Sequence, residues 1–391
     1  MDGRNNPVTL KYDRNNNITE IKTAENIINK YEYDKESRLT KEIDGENHFI
    51  KYEYDNIGNI LKKTTESNEV TTYTYNKHNV ITSMTDALNN TENYEVNLNK
   101  KVTKKVQKDG TEYKYNYDRV KRLINTIDPM NYRINLTYSL GDDVIKTTDT
   151  LGRQVNYEYD SMHNLTKQTV GADTIRPLTT ELWQYDIYGN IIKHIDRREY
   201  IEHFTYDLTN NLIEHKDKNE NITRYTYDKV GNIKEVRQPN GALTKYDYDN
   251  NYNRIKITNP SGKETNYTFD RDNRLISETD PNGNTKTYNY NNNNNLTKFT
   301  SALGNIKQYV YDTDNNLVKE IDPRNKEKSY TYDKLHRLTK TTSELNNTAI
   351  FTYDVVDNVI RIKDPKVQIQ SLITIVEIKI DDELIFESRV L

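Results

Sequence analysis

The chain has no cysteine among its 391 residues. It can therefore form no disulfide, hold no thiolate-bound metal and offer no thiol nucleophile. Tryptophan occurs once, phenylalanine six times and methionine four times. Hydrophobic residues make up only 33% and charged residues 30%, a balance that borders on that of disordered chains. No stretch approaches the roughly 18 apolar residues of a membrane-spanning helix, and Met1 to Leu10 holds no signal-peptide core. Neither sign of charge prevails: 56 Lys and Arg face 60 Asp and Glu, for a net charge of −4. A nucleic-acid or membrane-surface partner would call for a basic excess, and none exists. Gly-rich phosphate loops, Ser-His-Asp sets and helical metal motifs are missing as well. The expectation is a protein that is not an enzyme and uses no cofactor.

What the chain does have is tyrosine, 32 of them. Tyr12, Tyr33, Tyr54 and Tyr75 stand 21 residues apart, and the interval continues to Tyr159 with Val96 in one slot. One step of 26 leads to Tyr185, after which steps of 21 run through Tyr206, Tyr227, Tyr248, Phe269, Tyr290, Tyr311 and Tyr332 to Tyr353. That is 17 repeats, 16 with an aromatic anchor. A fixed period of this length defines a repeat architecture and argues against a domain built around one pocket.

The repeat at Tyr227 shows the unit. Tyr225 and Tyr227 alternate with Thr, a period of two that reads as a strand. Asp228 to Asn232 turns the chain, with Gly231 free to take positive φ. Ile233 to Val236 reads as a second strand, and Pro239-Asn-Gly241 as a second turn. Two residues before the anchor all 17 repeats are apolar or aromatic; six after it all but Arg254 are aliphatic. Asp follows the anchor in 13 repeats, as in Tyr33-Asp34, Tyr54-Asp55, Tyr185-Asp186 and Tyr332-Asp333. Such an Asp can bond the amides of the turn it opens.

The fold expected is all-β: 17 two-stranded repeats in a curled antiparallel sheet, over residues 1–365. Residues 366–391 are expected to be a non-repeat strand segment, either a cap on the sheet edge or a truncated end, with Val367 to Phe386 reading as two strands around Asp381-Asp382. If Asp280 and Gly283 close a two-residue hairpin, Leu275 faces Tyr288. Both aromatic stripes and the aliphatic stripe then share one buried face, together with a Lys stripe (Lys41, Lys62, Lys104, Lys167, Lys193, Lys256).

The Tyr-Asp anchor followed by Gly-Asn-Ile or Gly-Asn-Leu and then Asp-Pro-x-Gly resembles the YD repeats of the Rhs family, also found in Tc toxin C components and teneurins. Tyr54-Asp55-Asn-Ile-Gly-Asn-Ile60, Tyr185-Asp186-Ile-Tyr-Gly-Asn-Ile191 and Tyr227-Asp228-Lys-Val-Gly231-Asn232-Ile233 carry it. The resemblance implies a β-sheet wound into a hollow shell around a toxin, secreted or surface-associated. It implies as partners a toxin or cargo domain, or the remaining shell segments of a parent protein. After Asp364-Pro365 the family's self-cleaving core motifs do not follow, so no catalytic residue carries over. A cell-surface or cell-wall carbohydrate-binding repeat is the alternative, since tyrosine-rich stripes can bind glycans.

Two further features stand out. His194, His203 and His215 fall on the polar face of neighbouring strands by the hairpin arithmetic, a weak metal-site candidate. Equivalent positions elsewhere are Thr, Lys or Glu, so a chance cluster is the plainer reading, and no resident metal is expected. The extra residues near 170–180, with Thr174 and Arg176 ahead of Trp183, make either a partner loop or a tolerated insertion.

Overall fold

The computed structural model describes residues 4–171, 178–363, 379–380 and 383–384. Among these it has no helix and 34 strands, from Thr9–Tyr12 to Val359–Lys363, in one unclosed sheet. Two short strands, Lys379–Ile380 and Glu383–Leu384, pair with each other. The rest of residues 366–391, and the insertion residues Thr174 and Arg176, lie outside the described residues.

Each repeat contributes two strands, as in Ile222–Tyr227 and Ile233–Arg237. The Asp228 amide donates to the Asn232 carbonyl at 2.9 Å, and the Gly231 amide to the Asp228 carbonyl at 3.3 Å, with φ +93° at Gly231. This is a type I turn closed by a left-handed residue, a three-residue loop. The turn at Asp280 has the same build, with the Gly283 amide 3.0 Å from the Asp280 carbonyl and φ +84°.

That third loop residue overturns the expected two-residue hairpin. Thr279 pairs with Thr285 and Glu278 with Lys286, one residue out of the expected register. A one-residue slip turns side chains to the opposite face. A β-bulge behind the anchor adds a second shift: Tyr227 pairs with Ile233, but Thr226 pairs with Glu235. For the aliphatic stripe the two shifts cancel, and it shares the tyrosine face as expected. The Lys stripe moves to the other side. Lys62, Lys167 and Lys256 pair with the exposed acids that precede the anchors, at 3.0 Å to Glu53, 2.7 Å to Glu158 and 2.9 Å to Asp247.

The tyrosine face is also less buried than the stripes suggested. Ala24 and Ile27 are the buried hydrophobic residues among those described, and every anchor but the exposed Tyr12 is half-buried. A single-layer sheet has no second layer to seal it. Among the described residues its strand-to-strand contacts join consecutive strands, within a repeat or between neighbouring repeats.

The chain divides into two compact units. One comprises Met1–Val96, Lys105–Thr111 and Thr268–Leu391; the other comprises Asn97–Lys104 and Glu112–Tyr267. Inside the first, turns from the start of the array meet turns from its end. Thr23 Oγ1 donates to Asp272 at 2.7 Å and Asn293 Nδ2 to Asp44 at 2.7 Å, each across 249 residues. Lys108 lies 2.8 Å from Asp86 and 3.7 Å from Asp357. Gly45 permits this approach, because a Cβ there would fall 2.7 Å from the Asn292 carbonyl oxygen.

Candidate functional site

The anchor turn is a small hydrogen-bonding device. Asp228 Oδ1 accepts from the Val230 and Asn232 amides, both at 2.9 Å, and Oδ2 accepts from Asn232 Nδ2 at 2.9 Å. These bonds favour the ionised carboxylate, so the Asn232 side chain, then burial opposing it, then the backbone amides set a net fall in its pKa. Asp207, held the same way by Asn211 and Thr209, is pulled down to about 2. A carboxylate with a depressed folded pKa stabilises the fold above its unfolded value and loses that contribution as pH falls through the folded value. Thermal melts followed by circular dichroism should therefore show the midpoint falling between about pH 4 and pH 2. A flat profile there would mean that the turns do not depend on ionised Asp.

The anchor hydroxyl reaches back one repeat. Tyr227 Oη donates to the Leu212 carbonyl at 2.7 Å, Tyr248 Oη to Ile233 at 2.9 Å and Tyr332 Oη to Leu317 at 2.9 Å. The accepting carbonyl belongs to the aliphatic residue at the previous bulge, where the ladder is interrupted. Tyr54 and Tyr185 do the same at 2.7 Å to Leu39 and Leu165. Burial raises the Tyr227 and Tyr248 hydroxyl pKa values above the ordinary range.

An arginine variant of the turn escaped the sequence reading. Arg38, Arg122, Arg274 and Arg337 replace the Asn beside the aliphatic residue. Arg337 Nε donates to Asp333 at 2.8 Å, its Nη1 to the Asp354 carbonyl at 3.1 Å, and its guanidinium lies 4.7 Å from the Tyr353 ring centre. Asn or Arg fills this column in 14 of the 17 repeats, with Val80, Lys101 and Asp143 in the others, and that restriction was the available signal.

The three histidines do not share a face. His194 pairs across the ladder with Trp183 and stacks on it at 5.5 Å, and His215 stacks on Phe204 at 4.8 Å. Both belong to the aromatic face, for the same register reason that moved the Lys stripe. His203 lies between Lys193 and Lys216 on the exposed side. His194 Nε2 lies 3.0 Å from Glu181 and His215 Nε2 3.2 Å from Glu202. The result is a row of His–Glu pairs in place of a common metal pocket.

An array of β-hairpins whose anchor hydroxyls bond the repeat before belongs to the class of β-sheet repeat folds. The RHS Repeat family model matches residues 138–175, 206–242, 227–264, 269–306 and 311–348, so these stretches of the chain are similar to RHS repeats. No curated protein sequence matches it. Among solved structures, it is similar to the TcdB2–TccC3 complex without its hypervariable C-terminal region, at TM-score 0.76 and 13% identity over 94% of this chain and 24% of that one. TcdB2–TccC3–Cdc42 matches at TM-score 0.62 and 13% identity, over 94% of this chain and 24% of that chain. The Photorhabdus luminescens Tc holotoxin pore with a mutated TccC3 matches at TM-score 0.55 and 13% identity, over 91% and 25%. The chain thus spans about a quarter of the length of the structures it resembles.

Proposed function

We propose that this chain is a non-catalytic wall segment of a secreted or surface toxin-type shell that encloses or presents a polypeptide cargo. The observation that carries this reading is the likeness of nearly the whole repeat array to a stretch of the TcdB2–TccC3 complex. The array's polar groups support it, since the Asp, Asn and Tyr side chains of each repeat bond their own turn or the repeat before. The expected partners are a toxin or cargo domain and further shell segments. Exposed apolar turn tips at Leu98, Leu140, Leu208 and Val230 suit contact with such segments. Wall carbohydrate has less support, because the anchor hydroxyls that would bind sugars are committed to backbone carbonyls.

The test is protease protection of the native protein purified from producing cells. Non-repeat polypeptide should survive digestion while the shell is folded and be degraded once the shell is opened by denaturant. Cargo that is digested equally fast in both states overturns enclosure.

A further inference from the structure

In the first compact unit, a turn near the start of the array meets two neighbouring anchor turns near its end, which brings together Glu69, Asp314 and His336. One ligand atom from each lies within 4.8 Å of the others. Glu69 comes from the turn between Ile60–Thr65 and Val70–Tyr75, Asp314 from the anchor turn after Tyr311, and His336 from the anchor turn after Tyr332. We propose that these residues form a binding site for a divalent transition metal of the zinc class, which ties the start of the array to its end.

The donor set suits that ion. Zinc accepts both imidazole nitrogen and carboxylate oxygen as ligands, and a fourth position is left for water. His336 Nε2 already lies 3.3 Å from Glu69 Oε2. The Glu69 side chain is only 12% exposed, whereas that of His336 is 42% exposed, so an ion can enter from the solvent side. Ser67 Oγ donates to Asp314 and lies 3.1 Å from Thr313 Oγ1, which positions that carboxylate.

The electrostatics of the cluster point the same way. Two carboxylates converge on one imidazole, and Asp312 adds its field to theirs. Burial lifts the Glu69 pKa above the ordinary range; His336 opposes the rise, while Asp314 and Asp312 reinforce it. A cation among these groups would relieve both burial and repulsion. His336 Nδ1 rests 3.1 Å from the Asn316 side-chain amide.

The experiment is calorimetric titration of the full chain with zinc chloride, with cobalt absorption as a spectroscopic check. The wild type should bind one ion at this site, and His336→Asn should weaken it by at least about tenfold. Asparagine already holds the same left-handed position at Asn273, Asn294 and Asn315, so this variant keeps its turn. Glu69→Gln gives a second reading that preserves side-chain size, and it should weaken binding to a similar degree. Replacing His194 and His215 together should leave the affinity unchanged. A flat wild-type titration, or variants at Glu69 and His336 that bind zinc as the wild type does, overturns the proposal.

Discussion

Raising the pH through 10 should take the sheet apart. Anchor tyrosines along the whole array, among them Tyr54, Tyr117, Tyr227, Tyr290, Tyr332 and Tyr353, have hydroxyl pKa values raised mainly by burial. Each is protonated in the fold because its hydroxyl donates to a carbonyl, and a phenolate has no proton to donate. A group with a raised folded pKa contributes stability fully below its unfolded value and loses it as pH climbs through the folded value. The window therefore opens near pH 10, the ordinary tyrosine value, and extends upward. The losses add because each ring serves a separate pair of repeats. Tyrosinate absorbance and loss of the β-sheet circular dichroism should rise together in one steep transition. Smooth titration centred on the free-tyrosine value, with the sheet still intact, would show that the hydroxyl bonds contribute nothing.

Substitution at one anchor separates the ring from its hydroxyl. Tyr227→Phe removes the bond to Leu212 and should cost about 1 kcal/mol, the net value of a typical intramolecular hydrogen bond. Tyr227→Ala should cost about 2–3 kcal/mol in total, below the roughly 3–5 kcal/mol of a sealed aromatic, because the ring is half-covered. Urea unfolding of the two variants against wild type reads both. Equal losses in Phe and Ala variants would place all the stabilisation in the hydroxyl; an unchanged Phe variant would place it in the ring.

The repeat was fully legible in the sequence because its period is short and each position has a fixed task. Tyr227 and Asp228 could be placed in a strand end and a turn from local pattern alone, and the strands fall there. The facing of the stripes was less accessible. It depends on loop length and on a bulge, each a single-residue matter, and two such errors cancelled at Ile233 while displacing Lys256 and His194. The tyrosine staple could not be read either, since it depends on where the previous bulge leaves a carbonyl. The cluster at Glu69, Asp314 and His336 was out of reach for a different cause. Its members meet only when the array's beginning lies against its end, a distance in sequence that no 21-residue pattern encodes.

The lone Trp183 stands on the strand Thr179–Tyr185, its ring against His194. Every other strong chromophore in the chain is a tyrosine, spread almost evenly from one end to the other. Indole emission therefore reports on a single address, whereas phenol absorbance averages over the entire length. Long repeat arrays can lose cooperativity and open in stretches, and then one melting temperature no longer describes the molecule. In this chain the two optical signals would part company as soon as that happens, with no label introduced and no residue changed.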